Sequence, residues 1–144
     1  MALIYTAHAS VEGGRTGHGR SDDGNLDVTL SRPGSGGAGT NPEQLFAIGY
    51  GACFEGALAT VLRRRKLDAG LISADSAVEL HSVEDGTFRI EVSLDLTLPL
   101  ITDEALAIEV VEEAHLVCPY SNALRGNVDV NLSANGAWVA GAHE

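Results

Sequence analysis

Between residues 88 and 98, Ile90, Val92, Leu94, Leu96 and Leu98 alternate strictly with Glu91, Ser93, Asp95 and Thr97. A period of two with a single apolar set describes an extended strand with one face buried and one wet, and it excludes a helix here. The same period recurs in Leu26-Asp27-Val28-Thr29-Leu30 and in Val128-Asp129-Val130-Asn131-Leu132. Strands of this kind are expected to pair antiparallel, in sheets covered on one side. Glu84-Asp85-Gly86 supplies a turn between residues 78–83 and 88–98, which makes those two runs a hairpin.

Two helices interrupt the strands. The first is expected to open at Thr40-Asn41-Pro42-Glu43-Gln44, with Asn41 as N-cap, Pro42 at the first helical position and Gln44 closing a capping box. It runs to about Lys66, where Arg63, Arg64, Arg65 and Lys66 complement the helix dipole. Glu55 is the only charge between Glu43 and Arg63, so this helix is expected to be buried nearly all round. Gly49, Gly51 and Gly56 weaken it, and close approach of another backbone is the expected compensation. The second helix begins near Thr102, carries Asp103 and Glu104 in its first turn and stops before Pro119. At 100° per residue its inward stripe is Ala107, Val111, Ala114 and Cys118, with Glu109, Glu112 and Glu113 pointing away.

The 144 residues fit a single domain spanning the whole chain, 1–144, and a hydrophobic content of 44% is enough for a core without metal or disulfide support. The only low-complexity stretch, residues 31–39, reads as an exposed loop. A net charge of −11 repels nucleic acid and anionic membranes, so neither is an expected partner. The first fifteen residues have no basic leader and too few consecutive apolar residues for a secretory signal. The uncharged run from Gln44 to Phe54 is far short of the roughly 20 residues of a membrane span. The expected location is therefore the cytoplasm, where paired thiols are more often catalytic or redox-sensing than structural.

The chain holds two cysteines, Cys53 and Cys118. Only a thiolate is nucleophilic, so the question is what lowers each pKa. Cys53 lies about three turns into its helix, beyond reach of the helix dipole, and needs a side-chain cation. Cys118 sits at a helix C-terminus, which disfavours a thiolate but leaves it fit to condense with a sulfenic acid. On this argument Cys53 attacks and Cys118 resolves. The cation is left open among Arg15, Arg20, Arg32, Arg89 and Arg125. Arg15 lies in the glycine-flanked turn of residues 12–17, and Glu43 could orient a guanidinium through a bidentate pair.

GTNPEQLFAIGYGACF (39–54), VCPYSNALRGNVDVNL (117–132) and the GGR turn (13–15) together resemble the organic hydroperoxide resistance proteins, the Ohr branch of the Ohr/OsmC family. The resemblance covers essentially the whole chain. It implies an α+β, OsmC-like fold in which antiparallel sheets wrap around long buried helices in an intertwined homodimer. It makes Cys53 the peroxidatic and Cys118 the resolving cysteine, Arg15 the arginine that stabilises the thiolate, and Glu43 the carboxylate that positions that arginine. It further implies a thiol-dependent peroxidase acting on organic hydroperoxides, with no bound cofactor, regenerated by a dihydrolipoyl dithiol on lipoamide or a lipoylated protein. The chain departs from the family at Thr16, His18 and Gly19 after the arginine, and at Leu124, where threonine is usual.

Two other readings compete. A metal site could join Cys118 and His115, spaced three apart on a helix, with Cys53 and either His8 or His81, although no paired CxxC or HxxxH motif is present. Otherwise His8, His18, His81 and His143 read as surface or strand residues and His115 as a border residue of its helix. Alternatively the dithiol is a non-catalytic redox-sensing module that closes without turnover. Phe46 and Phe54 are the expected apolar walls of a site that prefers bulky hydroperoxides.

Overall fold

The computed structural model describes residues 1–139, which divide into two compact units between Leu45 and Phe46. In the first unit β1 (Ala9–Glu12), β2 (His18–Ser21) and β3 (Asp27–Thr29) form an antiparallel sheet in that order. A single 3₁₀ turn, Gly14–Thr16, joins β1 to β2. The unit closes on the opening turn of α1 (Pro42–Arg64). The expected N-cap is present: the Gln44 N–H donates to Asn41 Oδ1 at 2.9 Å. Gln44 does not complete a reciprocal box, however, because its side-chain oxygen accepts from the Thr40 hydroxyl instead.

The second unit is built on a four-stranded sheet, ordered β4 (Ser73–Ser82), β5 (Phe88–Thr97), β6 (Val130–Ala134) and β7 (Ala137–Trp138). The hairpin across residues 84–86 is as expected, with Val78 opposite Val92. The expectation of purely antiparallel pairing fails at β5 and β6, which run parallel, with Val92 beside Val130, Leu94 beside Leu132 and Leu96 beside Ala134. Alternation records which face is wet but says nothing of strand direction. A parallel pair needs a crossover of a dozen or more residues, and α2 (Glu104–Val117) with α3 (Pro119–Leu124) supplies it.

α1, α2 and the inner sheet face share one core. From β5 it takes Val92, Leu94 and Leu96, with Leu98 just past its end, from α1 Tyr50, Phe54, Leu58 and Val61, and from α2 Ala107, Val111 and Ala114, with Cys118 following. The Asp103 side chain caps α2 by accepting from the Leu106 N–H. Arg65, expected to serve the α1 dipole, reaches across to α2 and donates to Glu113 at 2.7 Å and to Glu109 at 3.3 Å. The strand pair β6–β7 was not anticipated from sequence. Its turn is Asn135-Gly136, both at positive φ, a standard hairpin signal. The Asn135 side chain receives the Leu98 N–H and donates to the carbonyls of Leu98 and Ile101.

The expectation that α1 is buried all round also needs correction. Ile48 is 73% exposed, and Ala52, Gly56 and Ala59 continue an outward row. By length and composition alone α1 could cross a bilayer, with 39% of its most apolar window buried. The expectation from the uncharged run missed this because Glu43 and Glu55 only punctuate a longer apolar helix. Nor do the α1 glycines meet another backbone: a Cβ at Gly49 would lie 3.0 Å from the Tyr120 hydroxyl, one at Gly51 would touch the Ser76 side chain, and one at Gly56 would meet nothing nearby.

Leu94 is wholly buried at the centre of this core, so Leu94→Ala is expected to cost about 2–5 kcal/mol in urea unfolding. Thr97→Ala, on the wet face of the same strand, should change stability by less than about 0.5 kcal/mol.

Candidate functional site: a dithiol at a helix corner

Cys53 sits on α1 one turn after Tyr50 and is half-buried. Cys118 is fully buried and occupies a corner, ending α2 and preceding the first residue of α3. Its backbone there is extended, with φ −64° and ψ 123°. The two sulfurs are 3.7 Å apart, and the Cys118 thiol donates to Cys53. Both are free thiols, and a bond of about 2.05 Å would form after a short approach.

Burial pushes the Cys53 thiol pKa up. The backbone N–H of Tyr120, in the first turn of α3, opposes this, while proximity to Cys118 adds to the rise. The Tyr120 donor was missed in the sequence because α3 was not anticipated. Pro119 ends α2, but it is also a good first residue for a new helix, and that second meaning was the available signal.

Aromatic rings cover this part of α1. Tyr120 lies over Gly49, with its ring centroid 5.7 Å from that of Tyr50 and 5.9 Å from that of Phe46. Of the two expected walls, Phe46 remains partly exposed, whereas Phe54 is sealed in the core against the His115 ring. Tyr120, 39% exposed, takes the place intended for Phe54.

His115 is not a border residue. It is 6% exposed, and its Nδ1 lies 2.9 Å from Ser121 Oγ, which is itself 2.7 Å from the Tyr50 hydroxyl. A tyrosine in an otherwise apolar helix requires a partner for its O–H, and that requirement was the sequence signal for this network. Burial drives the Tyr50 phenol up to about 12. Among the described residues, the one group of three possible metal ligands is Glu79, His81 and Glu91, all exposed on the β4–β5 hairpin. The metal set expected from Cys118, His115 and Cys53 with His8 or His81 is not assembled among the described residues. His8 and His18 are exposed, His18 pairing with Asp27, and His143 lies outside the described residues.

In the first unit Arg15 and Glu43 form a bidentate pair, with Nη1 donating to Oε2 at 2.9 Å and Nη2 to Oε1 at 2.6 Å. The turn that presents Arg15 depends on glycine. Gly13 has φ +77°, and a Cβ on Gly17 would lie 1.7 Å from the Glu12 carbonyl oxygen. The Arg15 hydrogen bonds hold the Glu43 carboxyl below its ordinary pKa, and those to Glu43 raise that of Arg15. Two parallel charge-assisted bonds fix a guanidinium in orientation as well as in charge.

The second unit is thus a crossover α+β unit that presents two unbonded thiols at the junction of three helices. The OsmC-like protein family model matches residues 34–133. The organic hydroperoxide resistance protein of Xanthomonas axonopodis pv. citri is 49% identical over 136 residues, covering 91% of this chain and 94% of its own. The organic hydroperoxide resistance protein OhrB of Bacillus subtilis is 45% identical over 140 residues, covering 92% and 98%. A crystal structure from Vibrio cholerae, described as a putative organic hydroperoxide resistance protein with captopril bound in one of the active sites, superposes with a TM-score of 0.90 at 39% identity, covering 96% of each chain. The chain belongs to the OsmC-like family, in its branch of organic hydroperoxide resistance proteins.

The depressed Glu43 pKa has a testable sign. Its stabilisation is complete above the ordinary value of 4.5 and is lost as pH falls through the lower folded value. The stability gap between wild type and Glu43→Gln, measured by denaturant unfolding, should therefore be constant above pH 4.5 and shrink below it. A gap that widens on acidification would contradict the assignment.

Proposed function

We propose that this protein is a thiol-dependent peroxidase that reduces organic hydroperoxides to alcohols. The observation that carries the reading is the pair of free thiols 3.7 Å apart, one partly accessible and one buried behind it. The names of the relatives add the substrate class. In the first step the Cys53 thiolate attacks the terminal oxygen of R–O–OH. An S–O bond forms, the O–O bond breaks, and the alkoxide leaves to take a proton and become the alcohol. Cys53 is then a sulfenic acid. The Cys118 sulfur displaces its hydroxyl, which leaves with the thiol proton as water, and a Cys53–Cys118 disulfide results. An external dithiol of the dihydrolipoyl type returns both thiols by two exchanges and is itself oxidised to a disulfide.

Arg15 is the proposed source of positive charge for the Cys53 thiolate, and Glu43 the residue that orients it. The raised Cys53 pKa supports this need, since one backbone N–H does not overcome burial. The bidentate geometry supports the orienting role. A cation aimed at a desolvated thiolate counts for more than in water. The same reading treats residues 1–144 as one functional domain, places it in the cytoplasm and requires neither bound cofactor nor metal. It also includes an intertwined homodimer, for which the outward row of Ile48, Ala52, Gly56 and Ala59 offers apolar surface.

Steady-state reduction of a bulky organic hydroperoxide with dihydrolipoamide tests the reading. Cys53→Ser should abolish turnover, and Cys118→Ser should stop cycling while leaving a sulfenic acid that a dimedone probe captures. Arg15→Ala should lower kcat/KM by roughly 10²–10³-fold. Full activity in Cys53→Ser would sink the proposal. Consumption of a single hydroperoxide per site, with added dithiol present, would instead establish a redox-sensing module.

A further inference from the structure

Cys118 is the single non-helical residue between α2 and α3, and its position depends on what holds that corner. The backbone bonds at Cys118 do not span it. Its N–H donates to Ala114 within the α2 ladder, and its carbonyl accepts from Asn122 within α3. Two side-chain contacts do cross the corner. His115 Nδ1 meets Ser121 Oγ at 2.9 Å, and Arg125 Nη2 donates to the His115 carbonyl at 2.7 Å. His115 and Ser121 flank Cys118 symmetrically, three residues before and three after. A third contact fastens this clasp to the other sulfur: Tyr50, one turn ahead of Cys53 on α1, reaches Ser121 at 2.7 Å.

We propose that Ser121, bonded to both Tyr50 and His115, is a positioning residue that clasps the α2–α3 corner and thereby sets the Cys118 sulfur against Cys53. Its use in catalysis rests on the peroxidase reading, though its geometry does not. Tyr50 and Ser121 are fully buried, and His115 nearly so, so water does not compete for these bonds. Tyr50 Oη and His115 Nδ1 both lie within hydrogen-bond distance of the Ser121 hydroxyl, which can donate to one and accept from the other. Loss of the clasp lets the corner rotate about the extended residue at 118. A Cys53 sulfenic acid that waits for its partner can meet a second hydroperoxide, gaining a second oxygen to become a sulfinic acid while that hydroperoxide leaves as alcohol. The clasp therefore favours closure over this dead end.

The test compares wild type, Tyr50→Phe and Ser121→Ala by two readouts. The first is the effective concentration of the Cys53–Cys118 pair in a glutathione redox buffer, which involves no hydroperoxide. It should fall about tenfold or more in Ser121→Ala, and by a smaller factor in Tyr50→Phe. The second is the course of a single turnover with an organic hydroperoxide. Disulfide closure should slow and the sulfinic acid share rise in both variants, while sulfenic acid formation, measured in a Cys118→Ser background, stays within about twofold of its parent. A residue that merely supports the core would lower the melting temperature and leave the effective concentration unmoved. Wild-type effective concentration and closure rate in both variants would overturn the proposal. If Ser121→Ala does not fold, Tyr50→Phe, which keeps the ring packing, decides alone. Failure of wild type to consume hydroperoxide would end the peroxidase reading, and the glutathione measurement would still judge the clasp.

Discussion

The approach of two sulfurs to 3.7 Å depends on the crossing of α1 with a corner made by two other helices. Neither cysteine is brought to the other by its own helix. Cys53 is carried on the core face of a 23-residue helix, and Cys118 is set in place because Pro119 ends one helix and starts another. The crossover that contains this corner exists because β5 and β6 run parallel, which forces the chain to leave the sheet and return. The sheet direction, the helix corner and the dithiol are thus one arrangement seen at three scales.

Opposed electrostatic demands meet at this site. Burial strips part of the water from Cys53 and raises its pKa, so the thiolate is disfavoured by the same packing that brings its partner close. A single backbone donor from Tyr120 works in the other direction. Within the first unit Arg15 and Glu43 are tightly paired, and their two bonds fix the guanidinium plane. The Glu12–Gly17 turn that carries Arg15 folds on itself closely enough that a side chain at Gly17 would strike its own backbone.

Ser121 illustrates how a small polar residue organises an apolar site. It has one proton to give and lone pairs to receive, and it joins a tyrosine from α1 to a histidine from α2. Each of the three is buried, and each would be costly if left unpaired.

Alternation in residues 88–98 was sufficient to place β5 and its buried face, and Asn41, Pro42 and Asp103 marked the starts of both long helices, because these signals are local. The inward stripe of α2 was legible for the same reason, down to Cys118. Local signals could not supply strand direction, the exposed side of α1, the partners of Tyr50 and His115, or the distance between the thiols. Those depend on contacts between residues far apart in the chain, and period and composition carry no information about which buried faces meet. Chain chemistry by itself decided that two cysteines, an arginine turn and a helix-start glutamate were available; folding decided that the thiols adjoin, that the arginine and glutamate pair, and that a serine holds the corner between them.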